Sequence, residues 1–406
     1  MTIILFEDNQ CHNLRPIGLF RPLWNLISGS VTLLDMVKTL GVPVYTLRRN
    51  ILLENENKPD TLPNGNGPIL FINASVEPDL RYLDTIRKLM AVGDPFLTTS
   101  GNRIAAALVT PDKHISPNLS SDTISPFLLE LGLPLEHEMF KTIDWPHHAV
   151  ESHLRLFGTN LERILSAGNY TENIPGLFVK ENVTLAPTVV VDTKKGPVVI
   201  ENGVTVMHFT YLEGPIHIGA DTRIIEHSSI KDNTSIGYGA KIGGEVESTV
   251  IEQRSNKQHH GFLGHSWVGR WVNLGAGTST SDLKNTYGKV RVYYQGKRYE
   301  TGMLFLGSII GDFVKSAVNT SLFTGKIVGA SSMLYGTVST NVPCFTNYAR
   351  SFGQVTELTL DQALITQKRM FARRNVQQTQ LDINIMRKVF ELTRDERVMS
   401  NEAITF

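Results

Sequence analysis

An aliphatic residue returns at every sixth position through the middle of the chain, and this period restricts the fold more than any other feature. The run is Ile200, Val206, Leu212, Ile218, Ile224, Ile230, Ile236 and Ile242. Four residues after each stands Val204, Thr210, Ile216, Thr222, Ser228, Thr234, Ala240 or Val246, all small or β-branched. Such a period fits neither a helix nor a flat strand. It fits a short strand followed by a turn, the hexapeptide unit of a parallel β-helix. Three hexads close one triangular coil. Coils then stack by strand pairing at roughly 4.8 Å, each aliphatic residue lying on its counterpart in the next coil. The same spacing predicts a column of Phe209, His227 and Glu245 with His227 next to Glu245.

The hexads lapse, resume at Val268 and Leu274, and lapse again over a polar excursion from Asp282 to Thr301. They return at Leu304, Ile310, Ser316, Leu322, Val328 and Leu334. A regular solenoid has no packing reason to emit such an excursion, and loops leaving a rigid scaffold are where binding residues concentrate. Function is therefore expected near residues 252 to 308.

The flanks differ from this centre. Residues 1–172 alternate short strands and helices, which predicts an α/β layer domain. Strands are expected at Ile3 to Phe6, and as buried strands at Val44 to Leu47 and Pro68 to Ile72. Phe96 to Thr98 and Ile104 to Val109 read as a hairpin about Gly101-Asn102. Helices are expected at Thr32 to Leu40 with Ser30 as cap, at Leu80 to Met90 after the cap Asp79, at Ser125 to Leu131 and at Val150 to Ser166. Asn55 to Gly67 reads as a surface linker, and a polar break, Ala167 to Pro175, separates this domain from a solenoid over 176–345. Two amphipathic helices, in a segment over 355–406, are expected to fold over the last coil.

Lys plus Arg equals Asp plus Glu at 39 each, so no global field favours nucleic acid or an anionic membrane, and small-molecule partners are expected. Cys11 and Cys344 read as free thiols. The apolar run Ile3 to Phe6 is too short for a signal peptide or a membrane span, so the chain reads as cytoplasmic.

The densest chemistry is Ser255-Asn256-Lys257-Gln258-His259-His260-Gly261-Phe262-Leu263-Gly264-His265, followed by Asn273-Leu274-Gly275-Ala276-Gly277-Thr278. Histidine suits proton removal near neutral pH, which a nucleophilic amine or hydroxyl needs when it attacks an activated acyl group. The small residues would let a ligand lie against backbone. Lys368, Arg369, Arg373 and Arg374 crowd one C-terminal helix and read either as a solvated face or as an anion site.

These segments, with Gly243-Gly244-Glu245-Val246-Glu247 and Ser281-Asp282-Leu283-Lys284-Asn285, resemble the bifunctional bacterial N-acetylglucosamine-1-phosphate uridylyltransferase and glucosamine-1-phosphate N-acetyltransferase family, in a divergent sugar nucleotidyltransferase branch. The resemblance implies a nucleotidyltransferase-like (GT-A/Rossmann-like) α/β domain, a left-handed parallel β-helix, and a homotrimer with active sites between subunits. It implies acetyl-CoA as co-substrate, a sugar phosphate and a nucleotide as ligands, His259 and Asn273 as catalytic residues, and coenzyme A contacts at Ala276, Gly277, Thr278 and Ser308. The family's tyrosine after the catalytic histidine is Phe262 here, and its phosphate-holding lysine aligns with Glu247. Lys257, Glu245 or Lys284 would then meet the sugar phosphate.

In the N-terminal domain only Arg15 and Arg21 could meet a triphosphate, and the magnesium carboxylate of the family is replaced by Asn73-Ala74-Ser75. Glu7, Asp8 or Asp79 would have to hold the ion. No metal-ligand set is assigned. Two other readings stand: a catalytically reduced scaffold that binds nucleotide sugar, and a gamma-type carbonic anhydrase whose zinc would use His260, His265 and His227.

Overall fold

The computed structural model describes residues 1–53, 67–110 and 119–398. Apart from Gly67, the expected linker lies outside them. The chain divides into two compact units, Met1–His148 and Ala149–Phe406.

The first unit is built on a six-stranded sheet. β1 (Thr2–Phe6) pairs in parallel with β2 (Val44–Leu47) and β3 (Ile69–Asn73), and α1 (Leu33–Lys38) and α2 (Tyr82–Val92) lie between consecutive strands. β4 (Phe96–Ser100) and β5 (Arg103–Val109) form the expected hairpin, with β5 antiparallel to β3. After α3 (Ile124–Glu130) the short β6 (Leu135–Glu136) completes the order β2-β1-β3-β5-β4-β6. The buried aliphatic strands β1, β3 and β5 are its centre, as continuous apolar runs predict. β2 is an edge strand and only its last residue is buried, which corrects the reading of it as a core strand.

Two caps also differ from expectation. Thr32, not Ser30, caps α1, its hydroxyl accepting from the Asp35 amide. Ser30 instead takes a left-handed φ of 67° in the preceding turn. Asp79 caps nothing, because its carboxylate holds Arg81 at 2.7–3.0 Å and α2 begins only at Tyr82.

In the second unit the hexads form the parallel β-helix they predict. Its first face runs from Leu177–Val179 through Val198–Ile200, Ile216–Ile218, Thr234–Ile236, Val250–Ile251 and Trp267–Val268 to Ile309–Ile310 and Ile327–Val328. The eight aliphatic residues from Ile200 to Ile242 are at most 1% exposed. The supposed break at Ala167 to Pro175 contains a strand, Thr171–Ile174, which extends this face by antiparallel pairing. α4 (Pro146–Ala167) spans the boundary of the two units, and its Phe157 and Leu161 pack on Val199 of the solenoid.

Coil length is not constant, which explains where the period was lost. Ile236 pairs with Ile251 and Ile242 with Lys257, three residues short of a full coil. Glu245 pairs with Ser229 rather than following His227 by a coil. The predicted column is therefore corrected: Phe209 and His227 stack at 5.1 Å and 13°, but Glu245 stands on the next strand and its carboxylate bonds Lys231.

Leu304 is also misread. It is 43% exposed in the excursion, and Leu306 is the buried residue there. The excursion folds as a hairpin, Arg291–Tyr294 with Lys297–Glu300, while the ladder continues from Val268 directly to Ile310.

The last coil is closed by an antiparallel pair, Thr346–Ala349 with Gln354–Glu357. The expected C-terminal helices, α5 (Leu360–Ala372) and α6 (Gln380–Leu392), form, and Phe390 of α6 packs on Phe345 beside that last pair at 5.0 Å. They also lie along the outward side of the second face, around Phe313, Lys315, Ser331 and Met333. The short α7 (Arg394–Val398) follows.

Candidate functional site

The second face of the solenoid alternates strictly between inward and outward residues. The inward series includes Val206, Ile224, Ile242 and then Lys257. Lys257 thus fills an aliphatic position with its stem, and the residue is 4% exposed. Its ammonium donates to the carbonyls of Gly243 at 2.7 Å and His259 at 3.1 Å. Burial pulls its pKa down to about 8, against a raising effect from Glu245. The expected phosphate-holding lysine is instead a strut inside the prism, since the shortened coil turned it inward.

That strut fixes the edge where His259 sits. His259 and His260 are exposed at the turn between the second and third faces. Among the described residues no hydrogen bond holds the His259 ring. His260 packs over Gly277 of the next coil, where an added Cβ would stand 3.3 Å from Nε2 of His260. Gly277 has φ +74°, and such a Cβ would also meet Asn319 Oδ1 at 2.2 Å, so only glycine fits. Ala276 is half-buried on the same edge and its carbonyl accepts from the Asn319 amide. The Thr278 hydroxyl shares a 2.7 Å hydrogen bond with Ser316.

Other expected partners lie elsewhere. Asn273 points outward on the second face, bridging Asn256 and Lys315 in the ladder, and its side chain accepts from Asn256 at 3.3 Å. Ser308 is fully buried at a different edge, before the first face, and its hydroxyl has no partner among the described residues. Lys284 belongs to the excursion. Glu245 is engaged by Lys231.

A second cluster was not foreseen as such. Glu247, His265 and Asp282 bring one ligand atom each within 4.8 Å of one another. The imidazole Nδ1 of His265 is 2.8 Å from Asp282 Oδ2, Phe305 stacks on the ring at 5.0 Å, and Lys231 lies 3.6 Å from Glu247. Within one copy His265 therefore meets two carboxylates, not His227 or His260. The signal missed in the sequence is the Asp282 position, which the neck of the excursion returns to the solenoid.

In the first unit the acids at the end of β1 are engaged by arginines. Asp8 takes Arg103 at 2.6 and 2.8 Å and Asn73 at 2.8 Å. Burial alone would raise its pKa, but these donors hold it below the ordinary range. Glu7 accepts from the amides of Leu23 and Arg49, each at 3.0 Å, and pairs with the Arg49 guanidinium at 3.2 Å, though burial still raises its pKa. Arg21 is buried and Arg15 half-buried. With Asp79 engaged by Arg81, the three carboxylates considered for magnesium are all taken up by internal partners, an arrangement that does not fit an ion. No described helix is long and apolar enough to cross a membrane.

Residues 3–166 match the family model described as sugar nucleotidyl transferase. The chain is 34% identical over 143 residues to a bifunctional sugar-1-phosphate nucleotidylyltransferase/acetyltransferase of Sulfurisphaera tokodaii, covering 35% of this chain and 36% of that protein. It is 29% identical over 223 residues to the bifunctional protein GlmU of Methanococcus vannielii, covering 51% of each. The chain thus matches between about a third and half of these relatives' lengths. Among solved structures, a UDP-N-acetylglucosamine acyltransferase of Francisella novicida shares 13% identity with a TM-score of 0.27, over 57% of this chain and 81% of that one. The resemblance drawn from the sequence is borne out: residues 3–166 match the sugar nucleotidyl transferases, and the chain is similar to the bifunctional nucleotidylyltransferase/acetyltransferase proteins.

Proposed function

We propose that the chain is a cytoplasmic sugar-phosphate transferase whose solenoid moves an acetyl group from acetyl-CoA to the amine of an amino-sugar 1-phosphate. The observation that carries this reading is the edge that exposes His259 next to His260, whose ring packs over Gly277 of the next coil, in a chain similar to a bifunctional nucleotidylyltransferase/acetyltransferase.

In the proposed step His259 accepts a proton from the acceptor amine as its nitrogen attacks the thioester carbonyl. The tetrahedral intermediate collapses with loss of the coenzyme A thiolate, and the proton passes to that leaving group. The groups assigned to coenzyme A are divided between two edges of the prism, with Ala276, Gly277 and Thr278 at one and Ser308 at another. A homotrimer, in which an edge of one copy faces a different edge of the next, would reunite them. Asn273 would orient the donor across the same boundary.

The N-terminal unit is assigned a sugar nucleotide as its ligand, on the strength of the match over residues 3–166. Glu7, Asp8 and Asp79 are engaged by Arg49, Arg103 and Arg81 and do not fit a magnesium ion there.

The test is thiol release from acetyl-CoA with glucosamine-1-phosphate as acceptor, using metal-stripped wild type and His259→Ala. Release by the wild type that disappears in the variant supports the assignment. Equal release by both proteins removes His259 from the mechanism, and silence in both removes this acceptor. Incorporation of UTP into a nucleotide sugar, assayed separately, reports on the N-terminal unit.

A further inference from the structure

Five cations converge where the C-terminal end of α5 meets the outward side of the second face. Arg223 and Lys241 are successive outward residues of one parallel ladder, and Asn256 is the next. Strand spacing sets these neighbours about 4.8 Å apart along the backbone. Arg374, just beyond α5, donates from Nη2 to Asn256 Oδ1 at 2.7 Å. Arg254, at the adjoining edge, lays its guanidinium over Trp271 at 5.1 Å and Tyr238 at 5.4 Å. Phe371, in the last turn of α5, packs on the same Trp271 at 4.6 Å and so pins the helix end that carries Arg373 and Arg374.

None of these five cations pairs with a carboxylate among the described residues. They raise one another's energy instead. Lys241 is held below the ordinary lysine range first by burial and then by Arg374, Arg223 and Arg373. Arg374 is lowered by burial, then by Arg254 and Arg373.

A helix C-terminus attracts cations by its dipole, and that accounts for Arg373 and Arg374 as a solvated helix end. It does not account for Arg223 and Lys241, which stand on a sheet, nor for Arg254, which is already braced between two aromatic rings. Crowded cations without counter-ions are stabilised by an anion, and a braced guanidinium loses little freedom in binding one. Planar donors of this kind match phosphate oxygens.

We propose that Arg223, Lys241, Arg254, Arg373 and Arg374, with Asn256, form a binding site for the phosphate of a small phosphorylated ligand. The site is defined without reference to acetyl transfer, so its fate is independent of the role of His259. A sugar phosphate and a nucleotide share the chemistry it recognises.

The experiment titrates the full chain with inorganic pyrophosphate by calorimetry, without acetyl-CoA. The wild type is expected to bind, and Lys241→Gln and Arg374→Gln are each expected to weaken binding by roughly tenfold, as for loss of one charged hydrogen bond. Lys368→Gln removes the same charge from an exposed position of the same helix and is expected to change affinity by less than about twofold. Arg373→Gln, exposed, supplies the same reading if Arg374→Gln fails to fold. Absence of binding by the wild type, or equal weakening by Lys368→Gln, overturns the site. Displacement of pyrophosphate by glucosamine-1-phosphate assigns it to sugar phosphates and displacement by UDP to nucleotides. Displacement by neither overturns a small phosphorylated ligand.

Discussion

The two units handle charge in opposite ways. At the end of β1 the acids are buried and each is matched to an arginine of its own unit, with Asp8 and Arg103 no more than 2% exposed. Along the solenoid many charges form outward, partly exposed ion pairs such as Lys231 with Glu245 and Lys180 with Glu201. His259 and the cations around Arg374 have no carboxylate partner among the described residues, and the inward Lys257 is satisfied by backbone carbonyls. A buried matched pair stabilises a conformation and leaves nothing for a ligand. An outward unmatched group adds little stability and is available for chemistry. Residues 3–166 carry the similarity to the sugar nucleotidyl transferases, and the histidine edge lies in the second unit.

The contrast can be broken at several points. Asp8→Asn would leave buried Arg103 paired only with the part-exposed Asp144 among the described residues, and a loss of about 3 kcal/mol is expected in the stability of the first unit. Chemical denaturation checks this, and a loss under about 1 kcal/mol would show the pair to be dispensable. On the solenoid, His259→Ala is expected to leave the denaturation midpoint unchanged while lowering acetyl transfer by about 10²- to 10⁴-fold. A large fall in stability would instead make His259 structural.

Gly277→Ala sharpens the same point at the backbone. The strained φ and the contact with Asn319 predict a cost of about 1–3 kcal/mol, read from thermal unfolding together with the fluorescence of Trp271 one turn away. An unchanged melting temperature would mean that Asn319 moves aside freely.

A test by pH concerns the lysines turned toward carbonyls. Lys257 and Lys315 are lowered by burial to about 8 and about 7 respectively. The folded chain then binds fewer protons than the unfolded one between those values and the ordinary lysine pKa of 10.5, so both should add stability as pH rises through that window. Urea midpoints at pH 7 and about pH 10 should rise in the wild type, and the rise should shrink in the Lys257→Met, Lys315→Met double variant. Persistence of the full rise in that variant would place its origin elsewhere.

The sequence revealed the solenoid because one repeated contact, aliphatic on aliphatic, decides each coil. Its failures have one physical source. Register is set by the number of residues in each turn, and periodicity cannot show a coil shortened by three residues such as that between Ile242 and Lys257. That slip moved Lys257 inside and separated Glu245 from His227. Contacts between distant segments were hidden for a different reason. Nothing local in Asp8 signals Arg103, and nothing in Lys241 signals Arg374, because tertiary packing alone brings them together. The neighbourhood of His260 and Gly277 was legible because they sit on consecutive coils, where sequence distance converts directly into height along the prism.

The excursion leaves and re-enters through a narrow neck. The amide of Leu306 donates to the Asp282 carbonyl at 2.8 Å, Leu283 bridges Phe305, and the ladder passes from Val268 to Ile310 without a missing rung. Closing such a loop costs free energy that grows only with the logarithm of its length. The hairpin is thus an insertion that leaves the ladder's register intact while docking back on the solenoid through buried Val290 and Val292. A change in its length or tip therefore alters the neighbouring edge without moving a rung of the stacked core.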